Sequence, residues 1–103
     1  MSETAAARGA LNIEGELTIY TAAETTERIT AALAADSALD IDLSQVGEID
    51  SAGLQLLIMA QRAAKALGRD VALVNHSTAV RECLELCNMT AALGDKSAPA
   101  AQE

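Results

Sequence analysis

Aromatic side chains are almost missing from this chain: Tyr20 is the single one, with no Phe and no Trp. Any core must therefore be aliphatic, and half of the residues are apolar, enough to build one. Basic residues are scarce too, seven Lys and Arg against fifteen Asp and Glu, for a formal net charge of −8. They are scattered, which argues against nucleic acid or an anionic membrane surface as partner, since both demand clustered positive charge. No apolar run approaches the ~18 residues of a membrane span. Met1–Arg8 lacks the apolar stretch of a signal peptide. These absences point to a cytoplasmic chain with no direct membrane insertion. Histidine occurs once, as His76, and cysteine twice, as Cys83 and Cys87, too few for a zinc site. The cysteines stand four apart in a helical pattern, where they cannot easily bridge each other. They read as small, buried, redox-inert hydrophobes. His76 reads as a surface loop residue without a specific role.

What remains fits one domain, residues 9–94, between small, polar, Ala-rich ends (1–8 and 95–103) expected to be disordered. Ala10–Glu14 and Glu16–Tyr20 alternate about Gly15 and suggest a hairpin. Thr21 then opens a helix, with Glu24 three residues on as a capping box. Leu39–Leu43 alternates as a strand whose Asp40 and Asp42 face away from the buried side. Paired carboxylates invite a catalytic reading, but a solvated sheet face explains them better. A second helix runs from Ala52 to Leu67 with Leu56, Met59, Ala60, Ala63 and Leu67 as its stripe, broadened by Leu54, Leu57 and Ile58, and Gly68 ends it. Asp70–Val74 is a fourth strand, and Ser77 caps a last helix that buries Val80, Cys83, Leu84 and Cys87. The fold class is α/β: a small mixed sheet of about four strands with about three helices on one face. Thr21, Ser51 and Ser77 then gather at one rim, beyond the carboxyl ends of the strands.

The segment Ile49-Asp50-Ser51-Ala52-Gly53 lies where strand gives way to helix. A serine there is placed to cap the helix, and it offers an exposed hydroxyl to a modifying enzyme. An added phosphate would meet the positive end of the helix dipole. No phosphate loop, nucleophile elbow or metal cluster accompanies it, so an enzyme and a bound cofactor are both unsupported.

Asp42-Leu43-Ser44-Gln45-Val46-Gly47-Glu48-Ile49-Asp50-Ser51-Ala52-Gly53-Leu54 resembles the phosphorylation-site segment of STAS domains, the fold of bacterial anti-sigma factor antagonists. Gly15-Glu16-Leu17-Thr18-Ile19-Tyr20-Thr21-Ala22-Ala23-Glu24 resembles the second strand and first helix of the same family. The likeness implies Ser51 as the phosphorylated residue, with Asp50, Ser51, Ala52, Gly53, Thr21 and Ser77 on the partner-binding surface. It implies as partners an anti-sigma factor that is also a serine kinase, and a serine phosphatase. Similar wording in STAS subunits of lipid-transport ABC complexes, and in regulators linked to chemotaxis or second-messenger kinases, implies the alternative: a non-enzymatic subunit of such an assembly. Within the partner-binding motif, Gly53 reads as a position kept clear for a partner or for helix-start freedom. Asp50 reads as a contact for the kinase or a favourable charge at the helix start.

Overall fold

The computed structural model describes residues 8–96. Its order is β1 (Gly9–Leu17), α1 (Ala22–Ala35), β2 (Ala38–Ile49), α2 (Ser51–Ala66), β3 (Asp70–Val74), α3 (Thr78–Leu86) and α4 (Thr90–Leu93). The α/β class is as the sequence suggests. Among the described residues, however, the sheet has three strands, ordered β1-β2-β3, and both pairings are parallel. The expected hairpin is absent. Gly15 takes a left-handed backbone (φ 79°) without turning the chain back, and the register against β2 shifts on either side of it. An isolated glycine in an alternating run has here made a bulge, which bends a strand and lets it continue.

Two right-handed crossovers stepping the same way across the sheet put α1 and α2 on one face. Their burial agrees: Ile29 and Leu33 of α1, and Leu54, Leu56, Leu57, Ala60 and Ala64 of α2, join Ile13, Leu17, Leu39, Ile41 and Leu43 in one aliphatic cluster. Of the stripe read in the sequence, Leu54, Leu56, Leu57 and Ala60 are buried, but Met59 and Leu67 are more than half exposed and Ala63 is exposed. A helix rich in Leu and Ala all round carries too little contrast to fix its own orientation. Its end is as expected. Gly68 (φ 70°) follows the last turn, and the amide of Arg69 donates to the carbonyl of Ala64 at 2.7 Å.

On the opposite sheet face, Asp40 and Asp42 do point away from the core, and each is engaged in a bond. Arg8 donates to Asp40 and to Asp70, each at 2.7 Å, and Asp42 accepts from Ser44 and from the Asn75 side chain. Arg8, Asp95 and Lys96 lie within the segments expected to be disordered, yet all three are bonded to the domain. Asp95 accepts from the amides of Asn75 and His76, and the amide of Lys96 donates to the carbonyl of Leu73. The rest of both ends lies outside the described residues.

His76 lies in the loop between β3 and α3, as expected, but it is buried, against the surface reading. Its Nε2 stands 2.8 Å from the carbonyl oxygen of Leu93. A carbonyl only accepts, so Nε2 donates this bond, and Nδ1 has no partner among the described residues. The bond ties α4, a helix the sequence reading did not foresee, to the end of β3. His76→Ala should therefore destabilise the domain by about 1–2 kcal/mol, from the lost bond and the space left behind. Denaturant unfolding checks this, and a change within about 0.5 kcal/mol would restore the surface-loop reading.

Candidate functional site

Asp50, in extended backbone (φ −122°, ψ −173°), is the residue that caps α2. Its Oδ1 accepts from the amide of Gly53 at 3.0 Å and its Oδ2 from the amide of Ile19 at 3.1 Å. One carboxylate thus satisfies a free amide of the first helical turn and pins the loop after β1 beside it. The backbone joins in: the amide of Asp50 donates to the carbonyl of Leu17 at 3.3 Å. These contacts, the Gly53 amide first and then that of Ile19, hold the Asp50 carboxyl below the usual aspartate range.

Ser51 is therefore not the cap. It is the first residue of α2 and is exposed, and among the described residues its hydroxyl has no hydrogen-bond partner. Ala52 is half-buried beside it. Gly53 is buried, and a Cβ there would run into the backbone carbonyl of Leu17. The glycine serves close packing of α2 on β1.

Thr21 stands at the start of α1 as expected, but its side chain makes no cap and no box with Glu24. Its hydroxyl lies 3.1 Å from the carbonyl oxygen of Glu16 and 3.2 Å from that of Thr18, and it accepts from the Thr18 amide at 3.1 Å. That closes the Thr18–Thr21 turn and lifts Ile19 and Tyr20 into solvent, 66% and 89% exposed. These two are the site residues that sequence reading missed. The signal was the lone aromatic at the end of a strand pattern.

Ser77 does cap α3, accepting from the amide of Val80 at 3.2 Å. It does not join Ser51. β3 ends opposite Asp42, and the Ser77 amide donates to the carbonyl of Leu43. β2 runs on for about seven more residues before Asp50, roughly 23 Å at strand rise. The far end of α3 reaches the site instead: Ala79, Glu82, Cys83, Leu86 and Cys87 form a groove of about 370 Å³ with Gly47, Glu48 and Ile49. Leu86 is 88% exposed. Cys83 is half-buried and Cys87 exposed, so the cysteines are not the buried pair expected from the pattern.

The rim thus joins Ile19, Tyr20, Asp50 and Ser51, with exposed Glu16 and Glu48 nearby. It is apolar and acidic, and the Ser51 hydroxyl on it makes no hydrogen bond among the described residues. Among the described residues, no three His, Cys, Asp or Glu side chains converge as a metal would require. No helix of the described residues is long and apolar enough to cross a membrane.

The depressed carboxyls give a pH dependence with a definite sign. Asp42, through its bonds from Ser44 and then Asn75, is held low as Asp50 is. Groups with lowered folded pKa contribute stability above the unfolded value, near pH 4, and lose it as pH falls through the folded one. Melting temperature should stay level from neutral pH down to that range and fall below it. Asp50→Asn should shallow the acid limb; an acid limb identical to wild type would contradict the assignment.

Comparison with known proteins places this geometry. Residues 1–95 match the family model described as "Mlab, STAS domain". No curated protein matches in sequence. Among solved structures, the anti-sigma factor antagonist SpoIIAA in its unphosphorylated form is similar at 19% identity and TM-score 0.68, over 92% of this chain and 84% of that one. The phosphorylated form of the Bacillus cell fate determinant SpoIIAA gives 19% and 0.62, over 88% and 82%. A sulfate transporter family protein from Wolinella succinogenes gives 19% and 0.65, over 84% and 70%. At such identities the structural likeness is one of fold; with the family model covering nearly all of the sequence, the chain belongs to the STAS domain family.

Proposed function

We propose that this domain is a cytoplasmic, non-enzymatic protein-binding module of the anti-sigma factor antagonist kind, switched by phosphorylation of Ser51. With Ser51 unmodified it binds an anti-sigma factor that is also its serine kinase; phosphorylation releases it, and a serine phosphatase resets it. The observation that carries this reading is the exposed Ser51 hydroxyl, without a bond of its own, beside a carboxylate fixed by two amides. Asp50 relieves the serine of capping, so modification costs the fold nothing it depends on. Ile19 and Tyr20 supply an apolar contact surface next to the hydroxyl. The likeness to SpoIIAA, solved both unphosphorylated and phosphorylated, supports the same reading.

The second reading is the alternative that the family resemblance implies, a constitutive, non-enzymatic subunit of a lipid-transport ABC complex or a regulator linked to chemotaxis or second-messenger kinases. Affinity capture from cell extract with Ser51→Ala and Ser51→Asp forms separates the two. The switch requires a protein retained by the alanine form and absent with the aspartate form, identifiable as a serine kinase. Identical captures by both forms would favour the constitutive subunit.

A further inference from the structure

Cys83 and Cys87 line the groove beside the rim but take no part in the proposed switch. They stand one helical turn apart on the side of α3 that lines the groove with Gly47, Glu48 and Ile49. Cys87 is the C-terminal cap of that helix (φ −94°, ψ 3°), and Asn88 after it turns the chain away at φ 60°. The two thiols are neighbours. Burial pushes the Cys83 thiol up, and the adjoining Cys87 thiol pushes it further. Cys87 is open to solvent, and Cys83 is reached through the groove.

Spacing decides what such a pair can hold. Residues i and i+4 of a helix keep their Cβ atoms about 5–6 Å apart. A disulfide needs Cβ atoms at about 3.5–4.5 Å and sulfurs at about 2.05 Å, so it would have to break the last turn. A single atom bonded to both sulfurs at about 2.3 Å each spans the gap with the helix intact. Glu48 and Glu82 line the same groove, but no set of three side chains among the described residues converges on one point, so the site offers two sulfurs alone. That matches soft centres satisfied by two thiolates and disfavours zinc, which takes four ligands.

We propose that Cys83 and Cys87 form a two-thiol site for a thiophilic metalloid, of which trivalent arsenic is the type. Capture is a condensation without change of oxidation state. An organic arsenoxide loses its oxygen, both S–H bonds break, two As–S bonds form, and oxygen and both protons leave as one water. The bridge clamps the last turn of α3 beside the Asp50–Ser51 rim. The site stands whatever Ser51 does.

Phenylarsine oxide and the folded, reduced full chain test this by native intact-mass measurement. A single adduct should form at one equivalent, resist a monothiol, and leave on treatment with a dithiol. Both cysteines should lose reactivity to a maleimide in the adduct, and its melting temperature should rise. Cys83→Ser and Cys87→Ser should each lose the monothiol-resistant adduct, with circular dichroism confirming that both fold. No adduct on the wild type, one that a monothiol strips, or one that persists in either serine variant would overturn the proposal.

Discussion

Gly53→Ala should cost this domain about 3 kcal/mol, lowering its melting temperature by roughly 10–20 °C. Ordinarily an alanine in the first turn of a helix is favourable, since glycine is the poorer helix former by about 1 kcal/mol. Here that gain is overruled by contact. The new Cβ would meet the Leu17 carbonyl carbon and oxygen, backbone atoms that cannot rotate aside. Leu17 is fully buried, and its carbonyl also receives the Asp50 amide, so retreat of β1 disturbs the cap and the core together. The damage should extend to the Thr18–Thr21 turn, because Ile19 is held by Asp50. Thermal and denaturant unfolding measure it. An alanine variant as stable as wild type would mean that α2 and β1 are not in this close contact.

Ser51→Asp should act in the opposite way, leaving stability nearly unchanged while weakening partner binding by about ten-fold or more, near 1.4 kcal/mol. In the free domain the new charge faces water at the positive end of α2, which favours an anion. It does not take the Gly53 amide, already bonded to Asp50. Its gain from the helix is thus small, and the nearby Asp50 offsets part of it. In a complex the same charge would be stripped of water close to Asp50 and Glu48, against like charges. Calorimetric titration against the captured partner, beside thermal melting of the same preparations, separates the two effects. Lost binding that merely tracks unfolded protein would refute a surface switch.

These two variants also show what the chain disclosed before its structure was known. The α/β class, the strand-to-helix junction at Asp50-Ser51 and the Ser77 cap follow from local pattern and side-chain chemistry, which act within a few residues. What escaped depends on partners distant in sequence. Gly53 meets Leu17, Asp50 bonds Ile19, and Asp95 bonds His76, none of which periodicity reveals. Gly15 misled for a different reason: the same residue type makes a turn or a bulge, and pairing with β2 decides which. Ser77 misled because helix starts share a rim only when strands end level, and β2 outruns β3. Cys87 followed the helical period on paper, but the helix ends at Leu86, and the position beyond it faces solvent.

The proposed switch turns on one hydroxyl, and phosphosite mapping addresses it directly. The full chain is incubated with ATP and the kinase captured by its Ser51→Ala form, digested, and its peptides sequenced by mass spectrometry. Phosphate should appear on Ser51, should be absent from the Ser51→Ala protein, and should coincide with loss of the captured partner. Phosphate on Ser44, Ser77 or a threonine, with Ser51 unmodified, would contradict the central claim.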